Sequence, residues 1–154
     1  MSRPHSRRGQ HGQALVEFAL VFPVLLLLIF GIIDAGRLIY TYNTVANAAR
    51  DGARVAIVNQ STTGTETCDT TSPTAWPKGC AIASGFNLGL TTDDVWVSYP
   101  TDAVCTKMSI GCLAVVTVTG KYQPLTPIIS SLIGPVSLTS TTTIPIERVC
   151  ASNC

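Results

Sequence analysis

The longest apolar stretch of the chain runs from Ala14 to Ile33 and carries one charged residue, Glu17, near its beginning. A helix needs about 20 apolar residues to cross the hydrocarbon core of a bilayer, and this stretch has that length. A carboxylate at the centre of a spanning helix costs about 2.5–3.5 kcal/mol on insertion scales, and less near an interface. The pattern therefore predicts a membrane-spanning helix, and its one acid invites a functional explanation.

Apolar and small residues keep recurring at helical spacing beyond that stretch. They are Ile39, Tyr42, Val45, Ala46, Ala49, Ala53 and Ala56. We therefore predict one helix over residues 13–58, which extends well outside the apolar core of a bilayer. Its four outer alanines form a stripe of small side chains, which lets another backbone come close. We favour packing of this stripe on the rest of the same chain over the alternative, the helix of another subunit.

The last third of the chain alternates apolar and polar residues, which predicts strands of a half-buried antiparallel sheet. The longest alternation covers residues 136–146, and shorter strand signals lie at 95–99 and 113–121. Before the last strand, a short helix is predicted, with Thr126 as its cap, Pro127 in its first position and Gly134 at its end. The predicted fold class is α+β, a long N-terminal helix packed on a small antiparallel β-sheet head.

Composition divides the chain into a basic leader at 1–12, the long helix at 13–58 and the head at 59–154. The first part of the head, to about Asp94, is rich in Thr, Gly, Pro and Ser, which is typical of a long loop. A short helical piece is expected in it around Ala81 to Asn87.

All six cysteines follow the apolar stretch, which favours an oxidising compartment and a disulfide framework. They are Cys68, Cys80, Cys105, Cys112, Cys150 and Cys154. Six cysteines allow 15 connectivities. We favour the local pairs, which are Cys68 with Cys80, Cys105 with Cys112 and Cys150 with Cys154. No C-x-x-C pair and no histidine follow the stretch, so a metal site is not expected.

The charge pattern predicts the orientation of the spanning helix. The arginines at 3, 7 and 8 lie in the leader, so the positive-inside rule places the N-terminus in the cytoplasm and the head outside. A cleaved secretory signal is the disfavoured alternative, because the apolar region is too long and Ala35-Gly36 makes a poor cleavage site. The formal net charge of +1 gives no case for binding nucleic acid.

Residues for catalysis or cofactor binding are scarce outside the leader. Both histidines, His5 and His11, lie within it, which removes Ser-His and Cys-His nucleophile pairs from the head. No glycine-rich phosphate loop is present in the sequence. The carboxylate pairs Asp93 with Asp94 and Asp102 with Glu147 are expected to be solvated, so we predict that the protein is not an enzyme and needs no cofactor.

Three motifs in the first third of the chain form a recognisable set. They are Gly12-Gln13-Ala14-Leu15-Val16-Glu17-Phe18-Ala19-Leu20-Val21 followed by Pro23, Gly31-Ile32-Ile33-Asp34-Ala35-Gly36-Arg37, and Ala48-Ala49-Arg50-Asp51-Gly52-Ala53-Arg54. Together they resemble the TadE-like family, pseudopilin-type proteins of the bacterial tight-adherence (Flp) pilus machinery.

The resemblance implies a pilin-like component of pilus assembly or secretion in the bacterial inner membrane. Its implied partners are the membrane, other pilin-like subunits, platform proteins of pilus assembly and a prepilin peptidase. Cleavage after Gly12 would leave Gln13 as the first residue of the mature chain and Glu17 as its fifth.

Two interpretations of Glu17 stay open. It is either an interfacial acid paired with arginines of the leader, or the partner of a neighbouring subunit's N-terminal amine. The runner-up function is a stand-alone, membrane-anchored binding module outside the cytoplasm, and a hydrolase that uses outer carboxylates is a remote third.

Overall fold

A computed structural model describes residues 10–60, 68, 76–102, 104–105 and 109–149, without the side chains at 10, 11 and 128. The order of its main elements is α1 (Gln10–Ala56), α2 (Pro77–Ser84), β1 (Val95–Ser98), β2 (Leu113–Tyr122), α3 (Pro127–Ile133) and β3 (Val136–Pro145). The long N-terminal helix packs on a small three-stranded antiparallel sheet, which confirms the predicted α+β class.

Helix α1 has two halves in different surroundings. Its 47 residues make it more than twice as long as the apolar core of a bilayer is thick. From Gly12 to Ile33 its side chains are exposed, apart from two half-buried positions at Leu26 and Gly31. From Val45 onwards one face is buried against the head. The second half of the helix is therefore part of the packed head, and the first half is not.

The sheet has the order β1-β2-β3, and all its pairs are antiparallel. One face of β2, which includes Val116 and Val118, packs against α1 and is fully buried. In β3 one parity is half-buried and the other is exposed, as the alternation at 136–146 predicts. The backbone approaches α1 closely at Gly120, where an added Cβ would lie 2.5 Å from a Val45 methyl group. Glycine is therefore required there because a larger side chain would push the strand off the helix.

Helix α2 begins earlier than the sequence suggests. The predicted helical piece around Ala81 to Asn87 is instead a helix over Pro77–Ser84, followed by a 3₁₀ turn at Phe86–Leu88. Proline suits the first turn of a helix. Gly52 of α1 lies so close to this helix that an added Cβ would be 3.0 Å from the Cβ of Ala81. Contact with α1 thus sets the position of α2, and local sequence does not carry that information.

Two disulfides join the local pairs that the sequence favours. Cys68 is bonded to Cys80, with 4.4 Å between the Cα atoms, and Cys105 to Cys112, with 5.7 Å. The third expected pair, Cys150 with Cys154, lies outside the described residues. Cys80 and Cys112 are buried in the head, so these bonds fasten Cys68 and Cys105 to its core.

Candidate functional site

The N-terminal half of α1 presents an apolar surface that the head does not cover. Fourteen large apolar side chains between Leu15 and Ile33 are 41–71% exposed. Such a continuous apolar surface is far larger than soluble monomers expose and marks contact with a membrane or a partner. By length and composition, helix α1 could cross a membrane, and within the described residues it is the one helix that could.

The residues of the predicted processing and assembly site lie at the beginning of this surface. Gly12 is inside the helix, and an added Cβ there would meet no atom within 4 Å. Gln13 and Glu17 are four residues apart and therefore share one face of the helix, together with Val16. Both polar side chains are exposed. Within the described residues, this face of α1 is thus exposed.

The stripe of small residues is divided between two environments. Ala49, Ala53 and Ala56 are completely buried in the core of the head, whereas Ala46 is half-exposed. Three of the four side chains therefore pack within the chain's own head. Of the four, Ala46 alone has surface left for the helix of another subunit.

Asp34 connects α1 to the head at the point where the apolar half of the helix ends. It is not among the site residues that the sequence predicts. Although it directly follows the apolar stretch, it is only 5% exposed. Its Oδ1 accepts a hydrogen bond of 3.0 Å from the backbone N–H of Leu125, and its Oδ2 one of 3.1 Å from that of Thr126. Its carbonyl oxygen accepts a third, of 2.8 Å, from the hydroxyl of Tyr122. We call this arrangement the Asp34 clasp.

The clasp corrects the role expected for Thr126. This residue does occupy the position before α3, but its side chain makes no capping hydrogen bond to that helix. The carboxylate of Asp34 accepts the N–H groups of Leu125 and Thr126, which precede the helix and are not the groups that a cap at Thr126 would satisfy. Burial raises the pKa of the Tyr122 hydroxyl, and the charge of Asp34 raises that pKa further. Tyr122 therefore keeps the proton that it donates.

A small cavity of about 140 Å³ lies beside the clasp. On one side it is lined by Phe30 and Ile33 of α1, and on the other by Leu125 and Pro127 from the beginning of α3. The outer end of the apolar surface thus continues directly onto the segment around α3.

Two of the four outer carboxylates considered for catalysis, Asp94 and Asp102, have structural partners. Asp94 accepts hydrogen bonds from the backbone N–H and the hydroxyl of Thr91. Asp102 accepts hydrogen bonds from the backbone N–H groups of Val104 and Cys105. Within the described part of the chain, no three His, Cys, Asp or Glu side chains stand close enough to hold a metal ion. The two acids shape loops on the exposed surface of the head.

Most of the long helix matches a known family of proteins. A family model described as TadE-like protein matches residues 12–54. Over these residues the chain is similar to the TadE-like family. No curated protein matches the chain, and no solved structure does. The TadE-like segment begins at Gly12 and ends inside α1, so it leaves the head unmatched. A TadE-like segment indicates involvement in a function related to the Tad pilus.

Proposed function

We propose that the protein is a membrane-anchored, pseudopilin-like component of tight-adherence pilus assembly or of related secretion machinery. One observation carries the proposal: the TadE-like match over residues 12–54 falls on a helix whose apolar half the head leaves uncovered. A helix of that kind places a folded head at one side of a membrane and offers its apolar half to lipid and to other helices.

The proposed topology is a single pass through the bacterial inner membrane, with the N-terminus in the cytoplasm. The arginines of the leader support this orientation through the positive-inside rule. Two disulfides in the head support an oxidising compartment for it, outside the cytoplasm. The regions 1–12, 13–58 and 59–154 then correspond to leader, helix and extracytoplasmic head.

In assembly, we propose that a prepilin peptidase cuts after Gly12 and that Glu17 receives the new amine of a neighbouring subunit. Gln13 and Glu17 share one exposed face of α1, so a second helix lying alongside can bring its first residue close to this carboxylate. In a medium of low dielectric, two opposite charges that meet stabilise each other strongly. The partners are then other pilin-like subunits and the platform proteins of the assembly machinery.

Cleavage is tested by the mass of the N-terminal peptide of protein recovered from membranes that contain a prepilin peptidase. We expect a mature chain that begins at Gln13, and we expect Gly12→Val to block cleavage. Gly36→Val is the matched control, since an added Cβ meets no atom within 4 Å at either glycine. A chain that stays intact beside an active peptidase would favour the stand-alone, membrane-anchored binding module.

The role of Glu17 is tested by co-purification of pilin-like partners at equal membrane levels of each variant. Glu17→Ala should insert as well as the wild type, because it removes a charge from the apolar stretch, but it should lose partners. Glu17→Asp keeps the carboxylate and should retain most of them. Equal recovery with all three proteins would show that Glu17 is an interfacial acid without a role in assembly.

A further inference from the structure

The segment from Gln123 to Pro135, which contains α3, exposes more apolar surface than a small water-soluble head requires. Leu125 is 68% exposed, Leu132 84% and Ile133 61%. Residues 122–146 contain no charged side chain. Three large exposed aliphatic side chains within nine residues of an uncharged segment mark a contact with something apolar. We call this segment the α3 loop.

The position of the α3 loop points to the membrane as that contact. The Asp34 clasp holds Leu125 and Thr126 at the residue where the apolar stretch of α1 ends. Pro127 shares a cavity with Phe30, which lies one turn of helix nearer to the middle of the apolar stretch than Asp34 does. The α3 loop therefore begins level with the end of the spanning stretch and extends its apolar surface sideways.

We propose that the α3 loop is a second membrane contact, which inserts Leu125, Leu132 and Ile133 into the leaflet on the side of the head. The inference rests on the proposed spanning role of α1, whose apolar surface it continues. Short apolar elements at an interface bury their side chains about 5–10 Å into the boundary between headgroups and acyl chains. With two contacts, α1 and the α3 loop, the head is held in one orientation on the bilayer and does not pivot about a single helix.

The test uses the full chain in nanodiscs at one molecule per disc, with quenching lipids that carry doxyl groups at shallow and deep positions. An environment-sensitive fluorescent amino acid replaces Leu132, whose high exposure makes the change harmless to folding. The same probe at Thr143 is the control. Thr143 is exposed and lies near the opposite end of β3 from Val136, whose partner Tyr122 joins the clasp. A third probe at Ile29 reports whether α1 spans the bilayer.

We expect the shallow quencher to reduce fluorescence at position 132 severalfold more than at position 143, because only an inserted side chain reaches the depth of the shallow doxyl group. The probe at Ile29, about 6 Å inside the outer end of the apolar stretch, should be quenched as well. Quenching at 29 with none at 132 would overturn the inference and leave the spanning helix intact. No quenching at either position would overturn both. A protein partner cannot produce the expected signal, because each disc holds a single chain.

Discussion

The division of the alanine stripe gives a sharp prediction about two residues of the same helix. We expect Ala53→Leu to destabilise the head strongly and Ala46→Leu to leave its stability nearly unchanged. Ala53 is completely buried in the core, whereas Ala46 is half-exposed. The chemical change, the helix and the predicted role of the two residues are the same, so their difference reports burial alone.

The packing around Ala53 sets the size of the effect. At the neighbouring Gly52 an added Cβ would lie 3.0 Å from Ala81 and 3.2 Å from Val116, so α1 has no spare space on this face. Overpacking a close-packed core costs about 1–3 kcal/mol. Leucine is much larger than alanine, so we expect a loss near the upper end of that range, about 3 kcal/mol. For a small domain each kcal/mol lowers the melting temperature by about 4–8 °C, which gives a decrease of about 12–24 °C.

Thermal unfolding in detergent micelles, followed by near-ultraviolet circular dichroism, measures both variants against the wild type. Ala46→Leu should cost much less, about 0.5 kcal/mol, because its half-buried position leaves the larger side chain room toward solvent. Similar small shifts for both variants would refute the packing of the stripe in the head. In co-purification, Ala46→Leu should reduce the recovery of pilin-like partners more than Ala53→Leu does. The reason is that Ala46 is the alanine of the stripe with surface left for another helix.

Three further predictions concern the clasp, the disulfides and a loop carboxylate. Asp34→Ala should raise hydrogen exchange at the amides of Leu125 and Thr126 about tenfold or more, because both lose a charged acceptor, while Asp94→Ala should not change them. Alkylation without reductant should leave Cys68, Cys80, Cys105 and Cys112 unlabelled, and reduction should cost about 2–3 kcal/mol for each bond because the loops that they close are short. The hydroxyl and backbone N–H of Thr91 lower the pKa of Asp94, so its stabilising contribution is present above the unfolded pKa of about 3.9 and is lost as the pH falls through the lower folded value. An NMR titration of the Thr91 amide should show this loss, and Asp94→Asn should abolish it.

The elements that rest on local pattern were predictable from the sequence. The period of two at 136–146 predicts β3 and its half-buried parity, because one face of a half-buried strand must be apolar. Pro127 and Gly134 bound α3 as expected. Proline suits a first turn, and Gly134 adopts a positive φ, which other residues rarely do. The predicted position of helix α2 is wrong because the helix is placed by contact with Gly52, which belongs to a different helix.

The Asp34 clasp could not be predicted, because its partners lie 88–92 residues away in the sequence. One signal was nevertheless present: an acid placed directly at the end of an apolar stretch, with the next positive charge at Arg37. At such a boundary an exposed carboxylate is ordinary, so the sequence alone cannot distinguish it from a buried acceptor. Only the fold shows that backbone N–H groups from the head meet it.

The clasp also explains how one long helix can serve two surroundings. Before Asp34, α1 has large exposed apolar side chains that suit an apolar medium. After Val45, it has small side chains that pack in a protein core. Between them the head contacts α1 through polar groups, such as the amide of Asn87, which donates a hydrogen bond of 2.9 Å to the hydroxyl of Tyr40. A polar connection suits the interface between bilayer and water, where side chains with an apolar body and a polar tip are favoured. The head can therefore sit directly on the membrane surface, which is the arrangement that the α3 loop requires.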